Sequence, residues 1–169
     1  MTVRDAFAQT RNLSGVWQPG LEALRAQDRR HVEAQDTRRL SGSADLDSAL
    51  RQQEPNAHRW DFAIGYNHTN RTLECIYWVE IHTAADREVS VVLDKLRWLR
   101  QWLKRNGKKL ALFEHDFVWI SSGRTSFTLT SPQQKQFAVL GLQHKCRVLR
   151  ISDSRTGTFI TPRRRKRLK

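Results

Sequence analysis

Acidic side chains are scarce in this chain. Seventeen Asp and Glu stand against 30 Lys and Arg, which leaves a net charge of +13. That imbalance favours polyanions, whose phosphates draw a basic protein in and hold it through salt-sensitive contacts. Ribosomal contact, an anionic membrane surface and plain solubility are the alternative readings of the same charge. Long apolar runs are absent too, and none approaches the roughly 20 residues that a membrane-crossing helix needs. Residues 1–10 carry no basic segment followed by an apolar core, so no secretory leader is expected. Cysteine is limited to Cys75 and Cys146, in apolar, strand-like settings without metal-ligand spacing. Two buried, reduced thiols and a reducing, cytoplasmic setting are the expectation. Neither GxxxxGK[ST] nor GxGxxG occurs, so the two common phosphate-cradling loops are missing.

The 169 residues that are present suffice for one domain with a real core. Residues 1–37 read as an irregular and helical extension in which Leu21-Glu22-Ala23-Leu24 opens a short helix after the turn at Pro19-Gly20. Residues 38–152 carry the periodic patterns of the core. Ser43 is read as the N-cap of a helix through Leu46, Ala49 and Leu50. Strands are expected over Arg59–Tyr66 and Leu73–Ile81, joined by a hairpin loop at Asn67–Arg71. From Glu88, the apolar residues Val89, Val92, Leu93, Leu96, Leu99 and Leu103 recur at helical steps until Asn106-Gly107. A strand at Phe117–Ile120 follows. Ser131-Pro132 then opens a helix through Phe137, Leu140 and His144, and Arg147–Ile151 closes the core as a strand. Residues 153–169 end in Arg163-Arg164-Arg165-Lys166-Arg167-Leu168-Lys169, a basic arm or simply a solvated end. Alternating helices and strands of this kind fit an α/β sheet covered by helices.

Chemistry gathers on the first two strands. Asp61 lies between Trp60 and Phe62, while Glu80 and His82 are two apart and leave one face of the next strand. Carboxylates that converge in a half-buried place repel one another unless a cation joins them. Oxygen ligands of this type suit Mg²⁺ or Mn²⁺, which keep several waters and bind phosphate. A solvent-facing strand end is the plainer reading of Glu-x-His, and His82 has no second His or Cys at zinc spacing. Trp60, Trp78 and Trp119 read as core, whereas Trp98 and Trp102, four apart on one helix stripe beside Arg97, Arg100 and Arg105, are candidates for base stacking or a partner surface.

The succession of a strand with Asp61, a strand with Glu80-Ile81-His82, a long helix, a strand, a helix and a strand resembles the PD-(D/E)XK nuclease superfamily over about Arg39 to Ile151. The resemblance implies a restriction-endonuclease-like mixed sheet flanked by helices in a single domain. It implies that Asp61 and Glu80 are metal ligands, with Asp45 or Asp47 on a preceding helix as a supplement or as a helix cap. The third motif position, usually lysine, falls on His82. That residue could orient or deprotonate water, or neutralise phosphate. Lys95, on the flank of the buried face of the long helix, is the second candidate for the missing cation, or else snorkels to solvent.

The leading expectation is therefore metal-dependent phosphodiester hydrolysis of nucleic acid, DNA favoured over RNA. The catalytic candidates are Asp61, Glu80, His82 and Lys95, and Asp61, Glu80 and Asp47 would hold Mg²⁺ or Mn²⁺. Arg97, Arg100, Lys104, Arg163, Arg164 and Arg165 would seat the phosphate backbone. No membrane partner is expected, and a homodimer or another protein partner stays open. The alternatives are a nuclease-fold module that binds nucleic acid without cutting it, and a protein–protein adaptor in a nucleic-acid-handling or defence assembly.

Overall fold

The computed structural model describes residues 1–69, 74–83, 85–123 and 128–153. In chain order the elements are α1 (Val3–Ala8), α2 (Ala26–Arg29), β1 (Val32–Ala34), β2 (Leu40–Asp45), α3 (Leu46–Leu50), β3 (Phe62–Tyr66) and β4 (Cys75–Thr83). These are followed by α4 (Asp86–Arg105), β5 (Glu114–Ser122), α5 (Ser131–Leu140), β6 (Leu142–Cys146) and β7 (Leu149–Ile151). Five strands form a mixed sheet in the order β2-β3-β4-β5-β6. The β2–β3 and β3–β4 pairs are antiparallel, and β4–β5 and β5–β6 are parallel. Parallel neighbours need a long crossover, and α4 and α5 supply the two. A separate parallel pair, β1–β7, lies outside this sheet.

The pleat sorts β4 into two faces. Ile76 and Trp78 join the layer under α1, α4 and α5, together with Phe7, Val92, Leu96, Leu99, Phe117, Trp119 and Phe137. Cys75, Tyr77 and Val79 face the other way, onto Ile64, Val118, Ile120, Leu24, Val32, Leu149 and Ile151. Both faces of the central strands are covered, so these strands read as nearly continuous apolar runs instead of alternating ones. Trp60, Trp78 and Trp119 are fully buried in the helix-side layer.

The sheet holds more strand than the sequence pattern suggests. Residues Leu40–Asp45 pair with β3, so Ser43 is a strand residue and Asp45 caps α3, accepting from the Ser48 amide. Gly42, at φ +148°, lies against the Trp17 indole, and a side chain there would collide with the ring. Only glycine allows β2 its bulge under Trp17. Leu21–Leu24 forms turns instead of a helix, closed by the Glu22 amide on the Pro19 carbonyl. Asp61 stands one residue before β3 instead of in mid-strand.

The helix opened by Ser131-Pro132 ends at Leu140, because Gly141 takes the left-handed conformation (φ +65°) that stops a helix. His144 consequently belongs to β6 and not to that helix. The closing strand is confined to Leu149–Ile151 and pairs with β1, so the fifth strand of the main sheet is β6. Cys75 is buried, but Cys146, at the end of edge strand β6, is exposed; the expectation of two buried thiols holds for the first alone. Among the described residues no helix is long and apolar enough to cross a membrane.

Candidate active site

The β3–β4 register sets Phe62 opposite Val79, which brings Asp61 beside Glu80 on the helix side of the sheet. Two backbone contacts lock the acids together. The Asp61 amide donates to Glu80 Oε2 at 3.2 Å, and the Ile81 amide donates to Asp61 Oδ2 at 3.0 Å. The first amide of α3 fixes Asp61 from the other side, donating from Leu46 to the Asp61 carbonyl at 2.8 Å. Each carboxylate thus has one main-chain donor, and with the Asp61 backbone anchored as well the pair loses little further freedom when it takes up a ligand.

Lys95 completes the group. Val92, Leu96 and Leu99 seat α4 on the sheet, and Lys95 on the same stripe turns its ammonium inward, with 15% of its side chain exposed. Its Nζ lies 3.2 Å from Asp61 Oδ1 and also hydrogen-bonds Glu80 Oε1. The Glu80 side chain is fully buried and that of Asp61 is 20% exposed. Burial raises the Glu80 pKa well above the usual carboxyl value, and the neighbouring Asp61 charge adds to the rise. Burial also raises Asp61, with Lys95 pulling the other way. Burial works against the Lys95 ammonium, but the two carboxylates outweigh it and its pKa ends above the ordinary lysine value. Two buried acids share one cation, so the cluster is short of positive charge.

The remaining candidates have other neighbours. His82 follows Glu80 on the same face, and its Nε2 pairs with Glu88 near the start of α4. Asp47 is held by Arg59 at 2.9 Å and by Arg51 at 2.7 Å. Burial acts to raise its pKa, yet these two arginines leave it below the usual value. Arg97 pairs with Asp94 at 2.5 Å, the Arg100 guanidinium sits 5.7 Å from the centre of the Phe117 ring, and Lys104 is exposed. Arg163, Arg164 and Arg165 lie outside the described residues, as do Asn70 and Arg71 of the Asn67–Arg71 loop. Trp102 is 4% exposed, and Trp98 stacks on it while its indole NH donates to Glu54, so this pair lines the core instead of offering faces to bases.

Among the described residues no three or more His, Cys, Asp and Glu side chains converge as a metal-holding group. The pair Asp61–Glu80 nevertheless fits a hard divalent ion in its chemistry, because Mg²⁺ uses one or two carboxylates and fills its other positions with water and substrate. The deficit of positive charge at the pair argues in the same direction. Sequence reading did not find the Glu88 partner of His82, the Arg59 clamp on Asp47, or the bond between Ser121 and His144 described below. Each depends on a register or a helix docking that leaves no local pattern. No protein-family model matches the chain, and no curated protein matches it either.

Proposed function

We propose that the protein is a metal-dependent nuclease-like hydrolase of nucleic acid, DNA favoured, with Asp61, Glu80 and Lys95 at its centre. The carrying observation is the inward-turned Lys95 ammonium that meets both carboxylates beside main-chain donors. Such a buried, charge-deficient cluster is costly for stability and is the arrangement expected where phosphate chemistry is done. Asp61 and Glu80 would hold Mg²⁺ or Mn²⁺; the bound ion would supply Lewis acidity toward a phosphate and a water of lowered pKa. Lys95 offers a donor and a positive charge to a phosphate at the same place, the role that lysine has in the superfamily which the sequence resembles. His82, 35% exposed, is a further donor on the rim. The net charge of +13 supports a polyanionic substrate.

A second reading has its own observation. Each of the four oxygens of Asp61 and Glu80 already meets a protein donor, which suits a module that binds nucleic acid and has lost the chemistry. Incubation of the full chain with single- and double-stranded DNA and RNA separates the two. Hydrolysis expects cleavage with Mg²⁺ or Mn²⁺ and none with chelator. Binding without cleavage in every metal condition would overturn it.

A further inference from the structure

The parallel registers carry the helix-side face of the sheet beyond the acids. Glu80 pairs with Trp119, and Trp119 pairs with His144 on edge strand β6. His144 therefore stands two strand spacings from Glu80, about 10 Å away on the same face. There a cavity of about 430 Å³ opens between β6 and α5, with Thr128, Leu129, Gln134, Phe137, Ala138 and His144 among its lining residues. A volume of this order accepts a small organic ligand.

Its lining differs from the rest of the molecule. In a chain of net charge +13, none of these side chains is a lysine, arginine, aspartate or glutamate. Burial, reinforced by the Lys145 charge, lowers the His144 pKa. Phe137 and His144 are the rings in its lining, and the fully buried Trp119 packs behind them, 6.0 Å and 4.8 Å away. Ser121 Oγ donates to the Lys145 carbonyl at 3.4 Å and lies in hydrogen-bond contact with His144 Nε2 at 2.9 Å, which holds the imidazole in place. The Gln134 amide donates to the Leu129 carbonyl at 3.0 Å, which orients its Oε1 as an acceptor, and the Thr128 hydroxyl both donates and accepts. A pocket with no formal charge in its lining, two ring residues and a few polar groups suits a heteroaromatic ring better than a phosphate.

We infer that this cavity receives the base of an unpaired nucleotide next to the phosphate at Asp61 and Glu80, so that the substrate is single-stranded or locally opened nucleic acid. The inference rests on the nuclease reading for its second half and names the substrate class for that site. Stacked bases inside a duplex cannot enter such a pocket, whereas a free or extruded base can, and ring stacking then holds it without much regard to sequence.

Fluorescence anisotropy of the full chain with chelator present tests it. The probes are a labelled single strand of about twelve nucleotides and a blunt hairpin duplex of the same sequence, at one salt concentration. Ala138, exposed on α5, is replaced by Trp to fill the cavity, and Gln134, also exposed, by Ala to trim it. Ala138→Trp is expected to weaken the single strand about tenfold, Gln134→Ala about threefold, and neither to move the duplex more than about twofold. A deoxynucleoside monophosphate should compete with the single strand more strongly than inorganic phosphate does. Equal loss on both probes, no loss on the single strand, or no binding by the wild type would overturn the inference. If the wild type cuts with Mg²⁺ while Ala138→Trp binds single strands normally, the pocket fails alone. If selective loss occurs without any cleavage, hydrolysis fails alone.

Discussion

The two faces of β4 are made by the same strand and treat charge in opposite ways. On the face toward β1 and β7, Cys75, Tyr77 and Val79 are buried among Ile64, Val118 and Ile120, and Ile81 packs against the same layer. On the face toward α4, Ile76 and Trp78 give way to Glu80 and His82. An apolar residue at position 80 would be the cheaper choice for folding, since a buried ion cluster recovers its desolvation cost only partly. One face is thus built for stability alone, and the other gives up stability at the place where Asp61, Glu80 and Lys95 meet. The difference points to the helix-side face as the place to look for chemistry.

Removing the shared cation should break the contrast most severely. Lys95→Ala leaves two buried carboxylates unpaired, with an expected loss of about 3 kcal/mol or more near pH 8 by chemical denaturation. Both carboxyls have pKa values raised above their unfolded values, so their charged forms oppose folding and their protonation relieves it. The deficit of Lys95→Ala should therefore shrink as pH falls from about 8 to about 5. A deficit that is constant with pH would mean that Lys95 contributes packing and not charge.

The apolar face supplies the control. Ile120→Ala should cost about 2–4 kcal/mol through lost burial and a residual cavity, with no pH dependence over the same range. Ile120 is fully buried on that face. A pH-dependent penalty there would show that the two faces are coupled.

Glu80→Gln should sharpen the comparison with the opposite sign. It leaves one acid to one lysine, so in chelator the variant should be more stable than the wild type by about 1 kcal/mol near pH 8. Because the Glu80 pKa is raised in the fold, its adverse contribution is absent below the unfolded value of 4.5 and grows as pH rises toward the folded value. The gain should thus vanish near about pH 4, as melting temperatures at the two pH values would show. A loss of stability at pH 8 would make Glu80 a structural residue.

The helix-side cluster was partly legible in the sequence, and the reasons are specific. Asp61, Glu80 and His82 stand out because acids and a histidine interrupt runs of β-forming apolar residues. Lys95 is visible as a charge within the stripe Val92, Leu96 and Leu99, where helical spacing predicts burial. β2 was hidden because Leu40-Ser41-Gly42-Ser43-Ala44-Asp45 has turn-like composition, and its strand form depends on pairing with β3 under Trp17. β6 was hidden because Leu142-Gln143-His144-Lys145-Cys146 is polar, as an edge strand should be, and follows a helix without a clear break except Gly141. The row from Glu80 through Trp119 to His144 exists only in the parallel register, which local patterns do not encode.

The smallest expected effect concerns the tail. Removing Arg163–Lys169 should lower the slope of log affinity against log salt without abolishing nucleic-acid binding, because most of the 30 Lys and Arg lie elsewhere in the chain. Complete loss of binding would move the contact surface onto the tail and away from Arg97, Arg100 and Lys104.

The central claim is that Asp61, Glu80 and Lys95 perform hydrolysis and not merely contact. Single-turnover cleavage of a labelled single strand with Mn²⁺, wild type against Glu80→Gln, with binding measured in chelator on the same samples, tests it most directly. Cleavage by the wild type, a fall of at least about a hundredfold in Glu80→Gln, and affinities within about threefold of each other are expected. Equal rates in the two proteins, or no cleavage by a wild type that binds the strand, would contradict it.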